Sequence, residues 1–188
     1  RSLKKMESAA KNDGINLKIV SAYRGYDRQK TIWNKKYERF TNEFSFEPKK
    51  AILEIIRFST IPGTSRHHWG TEIDIVDADY PDEKDVLKSE KFEKNGIYHK
   101  LKNWLDKNSE KFGFYLTYNN DSDRKGFEYE PWHYSYKPSS LKYYNALIDA
   151  DLKKIINNPE LKGHHYFTES FINKYISENI MDINPDLK

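Results

Sequence analysis

Ser65-Arg66-His67-His68-Trp69-Gly70-Thr71-Glu72-Ile73-Asp74, read with Glu130-Pro131-Trp132-His133 downstream, decides what this chain is. The two stretches supply histidines, an aspartate and a glutamate. A catalytic zinc site needs that donor set: three protein ligands hold the metal and a fourth position is left for water. A carboxylate beside that water takes its proton and later passes it to a leaving amine. The residue types point to a zinc peptidase.

Spacing sets the local fold. His67 and Asp74 would lie roughly 23 Å apart on a fully extended chain, whereas two ligands of one metal each lie about 2 Å from it. The chain must therefore fold back between them, and Gly70 is where it turns, because glycine accepts backbone angles that other residues resist. Thr71 to Val76 then alternates as a strand, with Thr71, Ile73 and Ile75 on one face and Glu72, Asp74 and Val76 on the other. In the second stretch Trp132, Tyr134 and Tyr136 share a face, and His133 and Ser135 share the opposite one. Glu130 would face away in a straight strand, so Pro131 is expected to bend the chain and swing it toward the metal-bound water. The helical H-E-x-x-H arrangement is absent.

Ser65 to Asp74 resembles the S-x-H-x(6)-D signature of VanY-type D-alanyl-D-alanine carboxypeptidases, and Glu130-Pro131-Trp132-His133 resembles their E-x-W-H element. The wider group includes lysostaphin-type endopeptidases and the hedgehog zinc domain. A third element, Ser21-Ala22-Tyr23-Arg24-Gly25-Tyr26-Asp27-Arg28-Gln29, is similar to the S-x-Y-R-x(4)-Q segment upstream of the metal motif. The resemblance runs in order over about residues 15 to 137. It implies that His67, Asp74 and His133 ligate zinc, that Glu130 is the general base, and that Arg24, with Gln29 and Ser65 nearby, holds the substrate's terminal carboxylate. It implies a carboxypeptidase removing a C-terminal D-alanine from peptidoglycan stem peptides, of D-Ala-D-Ala or L-Lys/DAP-D-Ala type, in an extracytoplasmic location. Two alternatives stay open: an endopeptidase of the same fold that cuts cell-wall cross-links, and a non-catalytic zinc-containing binding module.

The arginine also makes sense by its own chemistry. A planar guanidinium binds a carboxylate bidentately and stays charged at working pH, and Arg24 sits between a strand end (Leu17 to Ala22) and a helix starting near Asp27. Glu72 departs from the many relatives with a small residue there. It shares a strand face with Asp74, about 7 Å along, and is read either as bordering the pocket and attracting a substrate ammonium or as a surface carboxylate paired with a lysine. Singly, each of these residues has an ordinary structural reading: Arg24 in a surface ion pair, Gln29 on a solvated helix, Ser65 in a turn. Their ordered combination favours the site. His68 points away from His67 in an extended segment and is expected at the rim or in packing. Trp69 and Trp132 wall the pocket or pack in the core. His164-His165 is expected in a surface loop.

At 188 residues the chain suits a single domain with a proper core. Hydrophobic residues are only 37%, but 14 tyrosines, 10 phenylalanines and 4 tryptophans supply much of the missing burial. The 32 basic and 29 acidic residues, net +3, are interspersed. No basic stripe forms, so nucleic acid is not an expected partner. With no cysteine, disulfides and thiolate ligands are excluded. No apolar run is long enough to span a membrane and no signal peptide opens the chain, so membrane contact is expected only through an anchor upstream of Arg1. The protein is expected to act as a monomer.

The periodicity predicts helices over residues 1 to 13, Asp27 to Phe40, Pro48 to Phe58 and Tyr98 to Phe112, and paired strands over Phe114 to Tyr118 and Trp132 to Tyr136. The polar loop Asn119 to Gly126 between those strands is expected beside the substrate groove. The order implies α+β, a small antiparallel sheet carrying the zinc site and flanked by helices. Residues 1–137 would form the catalytic domain. Residues 138–188 would be a helical extension, with helices near Ser139 to Asn157 and Thr168 to Ile180. Its apolar face (Leu141, Tyr144, Leu147, Ile148, Leu152, Ile155 and Ile156) is expected to pack on that domain.

Overall fold

Backbone pairing centres on the strand that follows Gly70. In the computed structural model, which describes all 188 residues, the chain runs α1 (Ser2–Asn12), β1 (Leu17–Ser21), α2 (Tyr26–Glu38), α3 (Pro48–Ile55), β2 (Glu72–Asp77), α4 (His99–Asn108), β3 (Phe114–Leu116), β4 (His133–Tyr136), α5 (Lys137–Ile148), α6 (Leu152–Ile156) and α7 (Glu169–Tyr175). The four strands form one antiparallel sheet in the order β1-β2-β4-β3. This is the α+β architecture expected from the pattern. The expected Ser139 to Asn157 helix is broken in two at Asp149 to Asp151, where the Asp151 side chain accepts from the Lys154 backbone N–H and starts α6 afresh.

Each face of the sheet has its own core. On one side Ile73 and Ile75 of β2, Phe114 of β3 and Tyr134 of β4 pack with Met6 and Ala10 of α1 and with Leu101, Trp104 and Leu105 of α4. Past the other face a second core joins Trp33 of α2, Ile52 and Ile55 of α3, and Tyr118 to the C-terminal helices through Leu147, Leu152, Ile156, Ile172 and Tyr175. The Trp33 indole N–H donates to the Lys162 carbonyl at 3.0 Å, tying α2 to that segment.

This double cover changes the meaning of the alternation in β2. All six of its residues are buried, the polar Glu72 and Asp74 as completely as the isoleucines. The polar face of the strand is an interior, where Glu72 and Asp74 lie buried beside Ser135 and His133 of β4. No helix of the chain is long and apolar enough to cross a membrane.

Candidate active site

Register brings the predicted ligands together. In the β2–β4 pair Asp74 lies directly opposite His133 and Glu72 opposite Ser135, so all four share one face. His67 arrives from a single 3₁₀ turn, Arg66–Trp69, which ends at Gly70 with φ of 69°. That left-handed geometry explains the glycine, since added bulk there would meet nothing closer than the Tyr23 ring at 4.0 Å. One donor atom from each of His67, Asp74 and His133 lies within 4.8 Å of the other two. His67 Nε2 is 3.4 Å from Asp74 Oδ2, and His133 Nδ1 is 3.7 Å from Asp74 Oδ1. Tetrahedral zinc with ligands at 2.0–2.1 Å sets neighbouring donors about 3.4 Å apart.

Three further observations fit a divalent cation here. Asp74 Oδ1 is buried without a hydrogen-bond partner, which is costly unless something positive answers it. The His67 Nδ1–H donates to the Ala22 carbonyl at 2.7 Å, leaving Nε2 as the lone pair facing the cluster. Two imidazoles and a carboxylate are a zinc-type donor set.

The electrostatics point the same way. Burial, helped by His133 and Arg24, lowers His67 to about 3, so its ring is neutral. Burial pushes Asp74 up to about 6. Burial also opposes a charge on His133, yet its bonds to Glu130 and Glu72, with Asp74 close by, outweigh this and raise it to about 10. The crowded carboxylates thus favour a positive charge at this point, and a metal ion would meet that demand while displacing the Nδ1 proton.

Glu130 reaches the cluster through the bend expected at Pro131. The His133 backbone N–H donates to the Glu130 carbonyl at 3.1 Å, closing a turn with proline second, the position its fixed φ suits. Glu130 Oε2 then lies 2.9 Å from His133 Nδ1.

Arg24 stands in the loop between β1 and α2. Its backbone N–H donates to the His67 carbonyl at 3.0 Å, and its own carbonyl accepts from His68 Nδ1. His68 Nε2 accepts from the Gly63 N–H at 3.2 Å, so this histidine is a brace that locks the arginine loop to the metal loop. The guanidinium donates to Gln29 Oε1 at 2.9 Å and to Ser21 Oγ at 3.1 Å. Burial lowers the pKa of Arg24, partly offset by Asp74 and Glu130.

A 430 Å³ cavity opens over these groups; Arg24, Ser65, His67, Asp74, Glu130 and His133 all line it. Gln29 does not. It is fully buried, and its amide also donates to the Thr60 carbonyl, so it reaches the site only through Arg24. Trp132 joins the wall, while Trp69 stacks on Tyr143 at 5.9 Å between ring centres. Tyr118 and Phe127, at the two ends of the loop Asn119 to Gly126, line the cavity, while the loop residues between them do not. The Arg124 guanidinium holds the loop to the C-terminal segment by donating to the carbonyls of Asn119, Phe127 and Asp182. Residues 87 to 90 and Lys36 of α2 also line the cavity. Neither had a distinguishing motif.

Ser21 was quoted in the pattern without a role. The β1–β2 register slips by one residue, from Ile19 opposite Ile75 to Ser21 opposite Asp74. This bulge turns Ser21 onto the polar face, where plain alternation would have left it with Leu17 and Ile19. Glu72 corrects both of its expected readings. It is 0% exposed, absent from the cavity wall, and paired with Arg66, with Nε at 3.3 Å from Oε2, rather than with a lysine. His164 and His165 lie in a short surface turn, and no metal-like cluster forms there.

Against known proteins, residues 1–139 match the family model described as VanY: D-alanyl-D-alanine carboxypeptidase. YodJ of Bacillus subtilis (strain 168), a carboxypeptidase by name, is 32% identical over 169 residues, covering 88% of this chain and 50% of the relative. The chain spans about half the length of the curated relatives it matches. Among solved structures, a mutant of the vancomycin-resistance D,D-pentapeptidase VanY from the VanB-type cassette, in complex with Zn(II), superposes with a TM-score of 0.55. It is 27% identical, covering 72% of this chain and 68% of that one. The LdcB LD-carboxypeptidase gives 0.54 at 28% identity, covering 88% and 64%.

Proposed function

We propose, from the premise that this chain belongs to the VanY D-alanyl-D-alanine carboxypeptidase family, that it is a zinc-dependent carboxypeptidase removing a C-terminal D-alanine from peptidoglycan stem peptides outside the cytoplasm. The observation that carries this reading is the presence of Arg24 in the same cavity as His67, Asp74, His133 and Glu130. An exopeptidase needs a fixed cation within one residue's reach of the scissile bond; a cross-link endopeptidase has no use for one.

In this reading His67, Asp74 and His133 hold zinc. The metal supplies Lewis-acid polarisation of the scissile carbonyl and a water acidified to a pKa of about 7. Glu130 takes the water's proton on its carboxylate and returns it to the departing amine. Arg24 grips the terminal carboxylate in a fork geometry, Gln29 and Ser21 fix the plane of the guanidinium, and Ser65 lines the same cavity. Residues 1–137 would carry the machinery, and residues 138–188 would close the second core behind it.

The test is incubation of metal-replete protein with muropeptides ending in D-Ala-D-Ala or in L-Lys-D-Ala, with and without chelator, read by mass spectrometry. Chelator-sensitive loss of one alanine supports the reading and names the preferred bond. No loss from either, with zinc still bound, overturns it in favour of an endopeptidase or a binding module.

A further inference from the structure

The Glu72 carboxylate is fully buried and lies outside the cavity wall. It is nevertheless the most heavily bonded acid in the protein. Oε1 accepts from Ser135 Oγ at 2.6 Å and Thr71 Oγ1 at 3.0 Å, and Oε2 accepts from Thr117 Oγ1 at 3.2 Å and from His133 Nε2 at 2.9 Å. Arg66 lies alongside, its guanidinium over the Trp69 ring at 4.5 Å and its Nη2 donating to Ser135 Oγ at 2.9 Å.

Stability alone is a poor reason for such an arrangement. A buried ion pair seldom outperforms apolar side chains of similar volume, because both charges lose their hydration. A further reason lies in what Glu72 faces. An ionised carboxylate only accepts hydrogen bonds, so the His133 nitrogen against it must carry the proton. The opposite nitrogen, Nδ1, is the one directed at Asp74 and Glu130.

We propose that Glu72 is a positioning residue for the metal centre: it holds His133 as the Nε2–H tautomer and fixes its ring so that Nδ1 is presented as the ligand. The two histidines then bind through opposite nitrogens, each held from behind, His67 by the Ala22 carbonyl and His133 by a carboxylate. A carboxylate partner also makes the imidazole more basic and a better ligand. Donors from Ser135, Thr71, Thr117 and Arg66 surround the Glu72 carboxylate and hold it in place. The inference rests on His133 being a zinc ligand, as proposed above.

The experiment measures zinc affinity by competition with a chromogenic chelator, and the His133 tautomer from ¹⁵N-histidine spectra of the zinc-loaded protein. Glu72→Ala, Glu72→Gln, Ser135→Ala and the double variant Arg66→Met/Glu72→Ala are compared, with folding followed by circular dichroism. Glu72→Ala is expected to weaken zinc binding about 10–100-fold, the usual effect of losing such a partner, and to disturb the His133 signals. Glu72→Gln keeps an accepting oxygen and should recover most of both. Ser135→Ala should lower stability while leaving the tautomer in place. The double variant removes the buried charges together and carries the comparison if Glu72→Ala alone fails to fold. Wild-type affinity in folded Glu72→Ala or in the folded double variant, or weaker binding with an unchanged His133 spectrum, overturns the inference. Failure of the wild-type protein to bind zinc would instead remove the site reading beneath it.

Discussion

Glu130 Oε2 and His133 Nδ1 lie 2.9 Å apart across a single turn whose second residue is Pro131. The acid meets the imidazole at the nitrogen that also faces Asp74, so the group read as the base stands beside the group read as a ligand. The Glu130 N–H also donates to the Tyr118 carbonyl at 3.1 Å, and His133 pairs with Asp74 of β2, so the turn is anchored on both sides.

Glu130→Ala should therefore keep its metal and lose its chemistry. Removing a general base typically costs about 10²–10⁴-fold in rate. Metal content by mass spectrometry and turnover of a D-alanine-terminated peptide check this. Substantial residual turnover would take Glu130 out of the base role.

Arg24→Ala is expected to raise KM strongly for peptides with a free C-terminus, while peptides with an amidated C-terminus are cut no better by wild type than by the variant. Gln29→Leu, which leaves Arg24 present but unsupported from behind, should give a smaller change in the same direction. Equal kinetics of Arg24→Ala and wild type on free C-termini would argue against the clamp.

Zinc should raise the melting temperature, because a ligand that binds only the folded state stabilises it by about 2.7 kcal/mol at 100 times its dissociation constant. Asp74→Asn removes the anionic ligand and should abolish most of that increase. Differential scanning calorimetry with and without zinc reads it directly, and an undiminished shift in the variant would exclude Asp74 as a ligand.

Alkaline solution should unfold the protein. Burial holds the phenols of Tyr118, Tyr134 and Tyr175 well above their ordinary value of 10.0 and raises Tyr129 to about 12. Above pH 10 the unfolded chain has released these protons and the folded one has not, so the unfolded state gains free energy of ionisation. Their contribution is complete below pH 10 and is lost as pH rises beyond it. Melting temperatures from pH 8 to 12, with tyrosinate absorbance followed in parallel, test this; ionisation of all 14 tyrosines near pH 10 without unfolding would contradict it.

Ile156→Ala tests whether the C-terminal segment belongs to the core. Ile156 is fully buried with Trp33 and Ile52, though it lies beyond residues 1–139. Such a truncation costs about 2–5 kcal/mol in a packed core. Denaturant unfolding should show that loss in a single transition; a loss under about 0.5 kcal/mol, ordinary for a surface position, would mean that the segment is dispensable.

Much of the site was legible before any tertiary information. The strand period put Asp74 on one face and His133 on its own, glycine marked the reversal at residue 70, and proline marked the bend that brings Glu130 round. These are local constraints, acting over two to seven residues, and the chain's own stereochemistry enforces them. The long helix expected from Ser139 failed at Asp149 to Asp151 because apolar spacing continues across a break that a capping aspartate creates.

By itself the sequence determined the α+β class and offered a candidate donor set through residue type and periodicity, and its resemblance to a family singled out the three elements that carry the candidate site. Only the tertiary structure decided that Glu72 is sealed inside against Arg66 and His133, that a bulge turns Ser21 toward Arg24, that Gln29 works from behind the guanidinium, and that residues 87 to 90 wall the cavity. Periodicity states which side chains share a face. What covers that face depends on elements far apart in the chain, such as α2 and the C-terminal helices, and no local pattern records their arrival.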